Sequence, residues 1–312
     1  MTFKNSLKLL ASNFSIVWKH LVYMLIVGAI TVGLVFLFAA PSVEILTESG
    51  WVDTAKSLFA TIYTEPTTVF LVIKELALSF FNVLAANFSS LWYSILGLII
   101  TGYFVPRFLL NISDYNVCSV AEKQITSLLH VGYTQNMVST LRTSSKYAVV
   151  KMIIQLPFDV IKVLLVISFF RLSTSFISSL LFLSLLSMFL ILVQSIEITM
   201  LAGFAPYMIE FGGNPFKCYL KSSVPIFKKF EKVFSNAIIV VLACLFVNLL
   251  LGVFTAFSAL LITIPATAVF VCIFSNVAYL TMTEKRYYLS PSIIVNPKIN
   301  DVKPEEPKEI KG

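Results

Sequence analysis

The chain alternates long apolar runs with short polar and basic ones, and six of the runs are long enough to cross a bilayer. A helical span needs about 20 mostly apolar residues. The candidates are Leu21–Ala40, Leu91–Val105, Tyr147–Phe170, Phe176–Leu201, Val233–Phe254 and Leu260–Leu280. The second is short, but the flanking ANFSS and PRFLL extend it. A further apolar stretch, Val69–Ala86, is interrupted by Lys74 and Glu75. It predicts an amphipathic helix at the outer interface, with a re-entrant or spanning segment as the alternative. The expected fold class is therefore all-α: a polytopic membrane protein of about six transmembrane helices with amphipathic interfacial helices. One transmembrane domain is expected over residues 1–288, with an extracytoplasmic loop at 41–90.

Composition agrees with this reading. Hydrophobic residues make up 58% of the 312, charged residues only 12%, and mean hydropathy is +0.89. A soluble domain carries about a quarter charged residues. Four cysteines (Cys118, Cys218, Cys244 and Cys272) show no CxxC spacing and suggest neither a disulfide framework nor a zinc site. His20 and His130 are too few for a histidine metal cage, and no metal or cofactor is expected.

Basic residues set the expected orientation, because cytoplasmic loops are enriched in Lys and Arg. The first 20 residues hold Lys4, Lys8 and Lys19 without an acid, whereas residues 41–90 carry more acids than bases. Residues 106–146 read as a basic inner loop with Arg107, Lys123, Arg142 and Lys146. Five lysines precede the fifth span, and Lys285 and Arg286 follow the sixth. Both termini are thus expected in the cytoplasm. The first apolar run exceeds the 7–15 residues of a signal-peptide core and reads as an uncleaved signal anchor. The tail at 289–312 is rich in proline and mixed charge and predicts disorder.

Phe104-Val105-Pro106 and Phe204-Ala205-Pro206 each follow a span and lead into a basic stretch and another span. The pattern fits three repeated hairpins, each a basic interfacial helix, a span out and a span back. It equally fits any series of hairpins with basic inner anchors.

The third span contains Lys151, Asp159 and Lys162. Ionisable groups at membrane depth are paired or functional. Asp159 and Lys162 are three residues apart and share a helix face. At ~1.5 Å per residue they lie ~13–18 Å from Arg171, near mid-bilayer. Counting along the next span brings Glu197 to the level of Lys151. Two ion pairs are expected: Asp159–Lys162 at mid-depth and Lys151–Glu197 nearer the cytoplasmic face. Pro157 predicts a kink one turn before Asp159. The site reads either as a relay or polar substrate site centred on Asp159, or as charges that set helix register.

The segment Asn214–Phe234 packs five lysines and four phenylalanines into 21 residues. Asn214 is a good N-cap and Pro215 suits the first helical position. On a helix, Phe216, Leu220, Val224, Phe227, Phe230 and Phe234 fall on one arc. Lys217, Lys221, Lys228 and Lys232 fall on the adjacent one, with Lys229 beyond. This is the pattern of an interfacial helix, aromatic face toward acyl chains and amines toward lipid phosphates. Pro225 predicts a break into two short helices. The expected partners are membrane lipids; the segment reads either as an ordinary basic inner loop with no specific ligand or as a surface that selects anionic phospholipid headgroups. Nucleic acid is not expected, since stacking needs aromatics free of the membrane-facing side.

No GxSxG, HExxH or GxxxxGK[ST] motif is present, and the expectation is a protein without enzymatic activity. The run APYMIEFGGNPFKCYLKSS, with Glu210, Gly212-Gly213 and Lys221-Ser222, and KRYY at 285–288 resemble a pattern in bacterial six-span inner-membrane proteins. These are related to the membrane domain attached to some glycerophosphodiester phosphodiesterases. The resemblance is best over 200–288 and implies a multi-pass bacterial cytoplasmic-membrane protein linked to envelope or phospholipid homeostasis. The phosphodiesterase chemistry belongs to a separate soluble domain in those proteins. The rival expectation is a small-solute or ion transporter built around Asp159 and Lys162.

Overall fold

The computed structural model describes residues 2–64, 68–172, 176–297 and 301–304. The protein is an all-α polytopic membrane protein. Six helical runs among the described residues are long and apolar enough to span a membrane: Phe14–Glu48, Phe88–Ser127, Tyr133–Leu172, Ser178–Phe211, Phe230–Phe254 and Leu260–Met282. Five of the six expected spans fall within these runs, and the fourth, Phe176–Leu201, overlaps its run from Ser178 on. Their apolar side chains stay largely exposed, as lipid-facing positions do; Phe36 and Leu37 are 73% and 71% exposed.

By its contacts the expected single domain of 1–288 divides into two compact units. The first comprises Met1–Ile26, Phe108–Gln155 and Gln194–Gly312. Here α1 (Thr2–Ser12) packs on α12 (Leu260–Met282), which also meets α9 (Phe204–Phe211) and α11 (Phe230–Phe254). The core is completed by α6 (Val105–Ser127), which buries Ile112, Tyr115, Val117, Cys118, Val120, Ala121 and Ile125. An aromatic row ties four helices together. Tyr115 of α6 meets Tyr147 of α7 (Tyr133–Leu172) at 5.1 Å between centroids, and Tyr147 meets Phe204 at 4.6 Å. Phe204 then meets Tyr219 of α10 (Pro215–Lys228) edge-on at 5.6 Å.

Two expectations fail in this unit. Residues 106–146 are not a loop. Only 128–132 are irregular, and the remainder belongs to α6 and α7. The polar composition of α6 conceals its burial, because Asn111, Ser113, Asp114, Asn116 and Ser119 find hydrogen-bond or ion-pair partners inside the protein. The tail from 289 is not disordered where it is described. Strands β1 (Tyr287–Ser290), β2 (Ile293–Asn296) and β3 (Asp301–Pro304) form an antiparallel sheet in that order, with Tyr287 opposite Val295 and Val295 opposite Val302. Alternation drives it: Tyr287, Leu289 and Val295 turn into the core. Asn5 donates to the Tyr287 hydroxyl at 2.8 Å, docking the sheet beside α1. Burial raises the Tyr287 hydroxyl above its ordinary pKa. Residues 305–312 lie outside the described residues.

The second unit comprises Val27–Arg107 and Leu156–Val193. Ser94 of α5 (Phe88–Ile99) donates to the Phe38 carbonyl of α2 (Phe14–Glu48) at 2.5 Å and shares a 2.9 Å hydrogen bond with Ser42. The stretch Val69–Ala86 is a helix, α4, as expected. Its partner is α3 (Trp51–Thr64), whose Trp51 indole donates to the Leu76 carbonyl at 2.9 Å and rests on Phe80. After α5 the helix widens into a π-turn at Ile100–Phe104 and continues as α6. Pro157 is accommodated within α7.

The two Phe-x-Pro stretches sit in different surroundings. Phe104-Val105-Pro106 lies in an unbroken helical run, whereas Phe204-Ala205-Pro206 opens α9 after a break at Ala202-Gly203. A separate short helix precedes the first and fifth spans (α1 and α10), but ahead of the third it is fused into α7.

Gly203 marks the tightest approach in the first unit: a Cβ there would stand 2.9 Å from the Ser222 carbonyl oxygen. Gly203→Ala is expected to cost about 1–3 kcal/mol by overpacking. Gly33→Ala, which meets nothing within 4 Å, should leave stability unchanged or raised. Thermal unfolding of the two variants in the same detergent measures the contrast.

Candidate functional site

Intramembrane charge is concentrated on α6 and α7. Along α7, Lys151, Gln155 and Asp159 recur every four residues, with Lys162 a further three on, and so share one face. Along α6, Arg107, Asn111 and Asp114 recur at spacings of four and three.

In the second unit, Asp159 is the centre of a cluster. Its Oδ1 accepts from Lys162 Nζ at 3.3 Å, so the expected pair is formed. Its Oδ2 accepts from both Arg107 Nη2 and the Tyr103 hydroxyl at 2.7 Å. Arg107 was expected in a cytoplasmic loop. The π-turn carries Tyr103, and the continuing helix carries Arg107, so both side chains reach the carboxylate. Lys162 also lines a groove of about 510 Å³ whose other walls are apolar, including Ala77, Leu78 and Phe81 of α4. Both oxygens of the Asp159 carboxylate are thus engaged, by two cations and a phenol.

In the first unit, the expected Lys151–Glu197 pair is not made. Lys151 pairs with Asp114 of α6 at 2.5 Å, and its amine stands 5.7 Å from the centre of the Tyr147 ring. Glu197 accepts instead from Gln155 Nε2 at 2.8 Å, and Asn111 donates to Gln155 Oε1 at 3.1 Å. The physical reason is α6: as a buried helix rather than a loop it brings a nearer carboxylate to Lys151. One turn along α7, Gln155 takes up Glu197.

The same helix organises a second network. His20 Nδ1 and the Tyr133 hydroxyl both share hydrogen bonds with Ser113 Oγ, at 2.8 and 2.6 Å. Asn116 donates to the Tyr133 carbonyl, and Asn136 links Asn116 to Lys123. Ser113 and His20 stand at the separation of a nucleophile and its base. However, Ser113 is fully buried and its hydroxyl is shared with Tyr133, so no substrate reaches it.

The basic-aromatic segment forms α10. Asn214 caps it as expected, its Oδ1 accepting from Phe216 N at 3.0 Å and Lys217 N at 3.4 Å, with Pro215 in the first helical position. Gly212 and Gly213, both at positive φ, turn the chain from α9 into it. Pro225 does not break the helix. The interruption comes at Lys229, after which α11 begins at Phe230. Against the protein α10 lays a narrow face of Cys218, Ser222, Ser223 and Ile226. Phe216, Leu220, Val224 and Phe227 remain exposed, as do Lys217, Lys221, Lys228 and Lys232. Phe227, Phe230 and Phe234 stack in series, nearly parallel. Lys229 differs from its neighbours: its amine donates to Glu284 Oε1 at 3.1 Å and to the Met282 carbonyl at 3.3 Å. Burial raises the pKa of the Cys218 thiol above its ordinary value, so this cysteine behaves as packing rather than as a nucleophile.

Asp114→Asn leaves Lys151 buried without its counter-ion and is expected to destabilise the protein by about 3–5 kcal/mol. Adding Lys151→Met should recover most of that loss. A double-mutant cycle on unfolding in detergent tests it, and additive losses would show that the two residues do not act as a pair.

No family model, curated protein or solved structure matches this chain, so its functional assignment rests on the chemistry of its own residues.

Proposed function

We propose that this chain is a multi-pass protein of the bacterial cytoplasmic membrane that acts at the anionic phospholipid surface without catalysing a reaction of its own. The observation that carries this reading is the arrangement of α10. The protein takes up only its small-residue face, leaving an apolar arc of Phe216, Leu220, Val224 and Phe227 and three lysines, Lys217, Lys221 and Lys228, outward, with Lys232 exposed at the start of α11. That is the geometry of a helix seated in a lipid interface, where each lysine near an anionic surface contributes about 1 kcal/mol. An even number of spans puts both termini on one side, and the bias of Lys and Arg favours the cytoplasm. The resemblance to six-span inner-membrane proteins related to the phosphodiesterase membrane domain supports the same assignment. Two of the residues that carry it, Glu210 and Lys285, form an ion pair.

A transporter is the second reading, favoured by one observation. The π-turn places Tyr103 on the intramembrane Asp159, and such turns occur frequently at functional sites. The two cations on Asp159 weigh against it. If transport is the role, Asp159→Asn abolishes solute or ion flux in proteoliposomes while the protein still folds. On the lipid reading, Asp159→Asn alters stability alone.

The lipid reading is tested with protein in nanodiscs of mixed composition, followed by native mass spectrometry of the retained lipids. Wild type should retain phosphatidylglycerol or cardiolipin over phosphatidylcholine. Lys217→Glu, Lys221→Glu and Lys228→Glu together should reduce that preference on the order of 100-fold at low salt. Lys229→Glu should instead lower the melting temperature, because it faces Glu284. A wild-type protein without preference for anionic lipid would sink the proposal.

A further inference from the structure

In the first unit a partly open cavity of about 260 Å³ is lined by α6, α9, α12 and the residues that follow α12. One charge pair in its wall is complete. Glu210 accepts from the Tyr279 hydroxyl at 3.0 Å and from Lys285, whose amine also lies over the rings of Phe211 and Tyr279. Two other charges in the same wall are not matched. Glu122 receives only the Thr126 hydroxyl, at 3.1 Å, and Arg286 forms no ion pair among the described residues, with Glu122 or any other acid. Asn276 lines the cavity as well. It is fully buried, and its Nδ2 donates to the Cys118 carbonyl at 2.9 Å while its Oδ1 has no partner. A buried carbonyl oxygen without a donor is a costly exception in a folded protein.

These features ask for complementary chemistry. Glu122 and Asn276 Oδ1 are acceptors, and a primary ammonium supplies three donors. Arg286 presents a fork of N–H groups that suits a phosphate or carboxylate. The cavity is many times the roughly 10–15 Å³ that one water needs. We propose that it binds a small zwitterion carrying a primary ammonium close to a phosphate, with the ammonium toward Glu122 and Asn276 and the phosphate toward Arg286. The chemistry is that of a phosphoethanolamine group, whether free or as the head of an aminophospholipid. A choline head carries no N–H to donate, and the glycerol head of phosphatidylglycerol supplies no cation to Glu122, which forms no ion pair with the described residues of this wall. The site is separate from the lysine face of α10 and does not depend on it.

The test uses the full chain. Soluble O-phosphoethanolamine is titrated calorimetrically into detergent-solubilised protein, with phosphocholine as the control. Nanodiscs containing phosphatidylethanolamine, phosphatidylcholine and phosphatidylglycerol are read by native mass spectrometry. Phosphoethanolamine, in one or both forms, should bind well ahead of phosphocholine or phosphatidylcholine. Glu122→Gln and Arg286→Gln should each weaken binding about tenfold or more. Arg286 is exposed, so its variant folds even if the Glu122 variant does not. Retention of phosphatidylethanolamine that free phosphoethanolamine displaces identifies the lipid head as the ligand. Binding of the soluble form alone identifies a free metabolite. The triple lysine reversal on α10 should leave either result intact. Failure of both forms to bind, equal binding of the choline compounds, or indifference to Arg286→Gln overturns the proposal.

Discussion

Within a membrane protein, every polar group withheld from water must find its partner inside the chain, and α6 makes that constraint dominant here. Asn111, Ser113, Asn116, Ser119 and the Asp114 carboxylate sit on a helix buried on most of its sides. Left unpaired, each amide or hydroxyl would cost several kcal/mol in an apolar medium. The surrounding helices are consequently arranged to answer them: α7 with Lys151, Gln155, Tyr133 and Asn136, and α2 with His20, while Asn276 of α12 donates to the Cys118 carbonyl of α6. The aromatic row from Tyr115 to Tyr219 then fills the space between these contacts. Polar matching specifies which helices meet, and apolar packing holds them there.

The same matching bears on what the intramembrane charges do. Asp159 has both oxygens engaged, and Lys151 has a near carboxylate and an aromatic face. Such pairs add little net stability over apolar residues of the same shape, yet breaking one is costly. They penalise any helix register in which a charge loses its partner. The chemistry left over lies elsewhere, on the lysines of α10 and in the cavity walled by Glu122, Asn276 and Arg286. There the side chains are exposed or unmatched.

Legibility followed the physics of each element. The six spans were visible because lipid demands a continuous apolar stretch. The start of α10 was visible because Asn214 and Pro215 act on their own neighbours. The Asp159–Lys162 pair was visible because three residues on a helix are adjacent whatever surrounds them. Arg107 and Asp114 were not, since each reaches its partner from a helix that polar composition disguised as a loop, and Tyr103 was not, since a π-turn inside the second span aims it at Asp159. Lys151 was assigned to Glu197 for the same reason. The tail was misread because its proline and charge outweighed the short alternation of Tyr287, Leu289 and Val295. Lys229 resembled its neighbours in composition and separates from them only through Glu284, 55 residues away.

By itself, then, the sequence determined the solvent and the local elements: a chain too apolar for water, helices of bilayer length, a capped basic-aromatic helix and one ion pair within a single turn. Tertiary structure decided the pairings across long separations. These comprise Asp114 with Lys151, Gln155 with Glu197, Glu210 with Lys285, and Asn5 with Tyr287. The reason is one of range. Hydropathy and helical spacing act over a few residues, whereas the partner of a buried polar group is whichever complementary group the packed helices bring within about 3 Å.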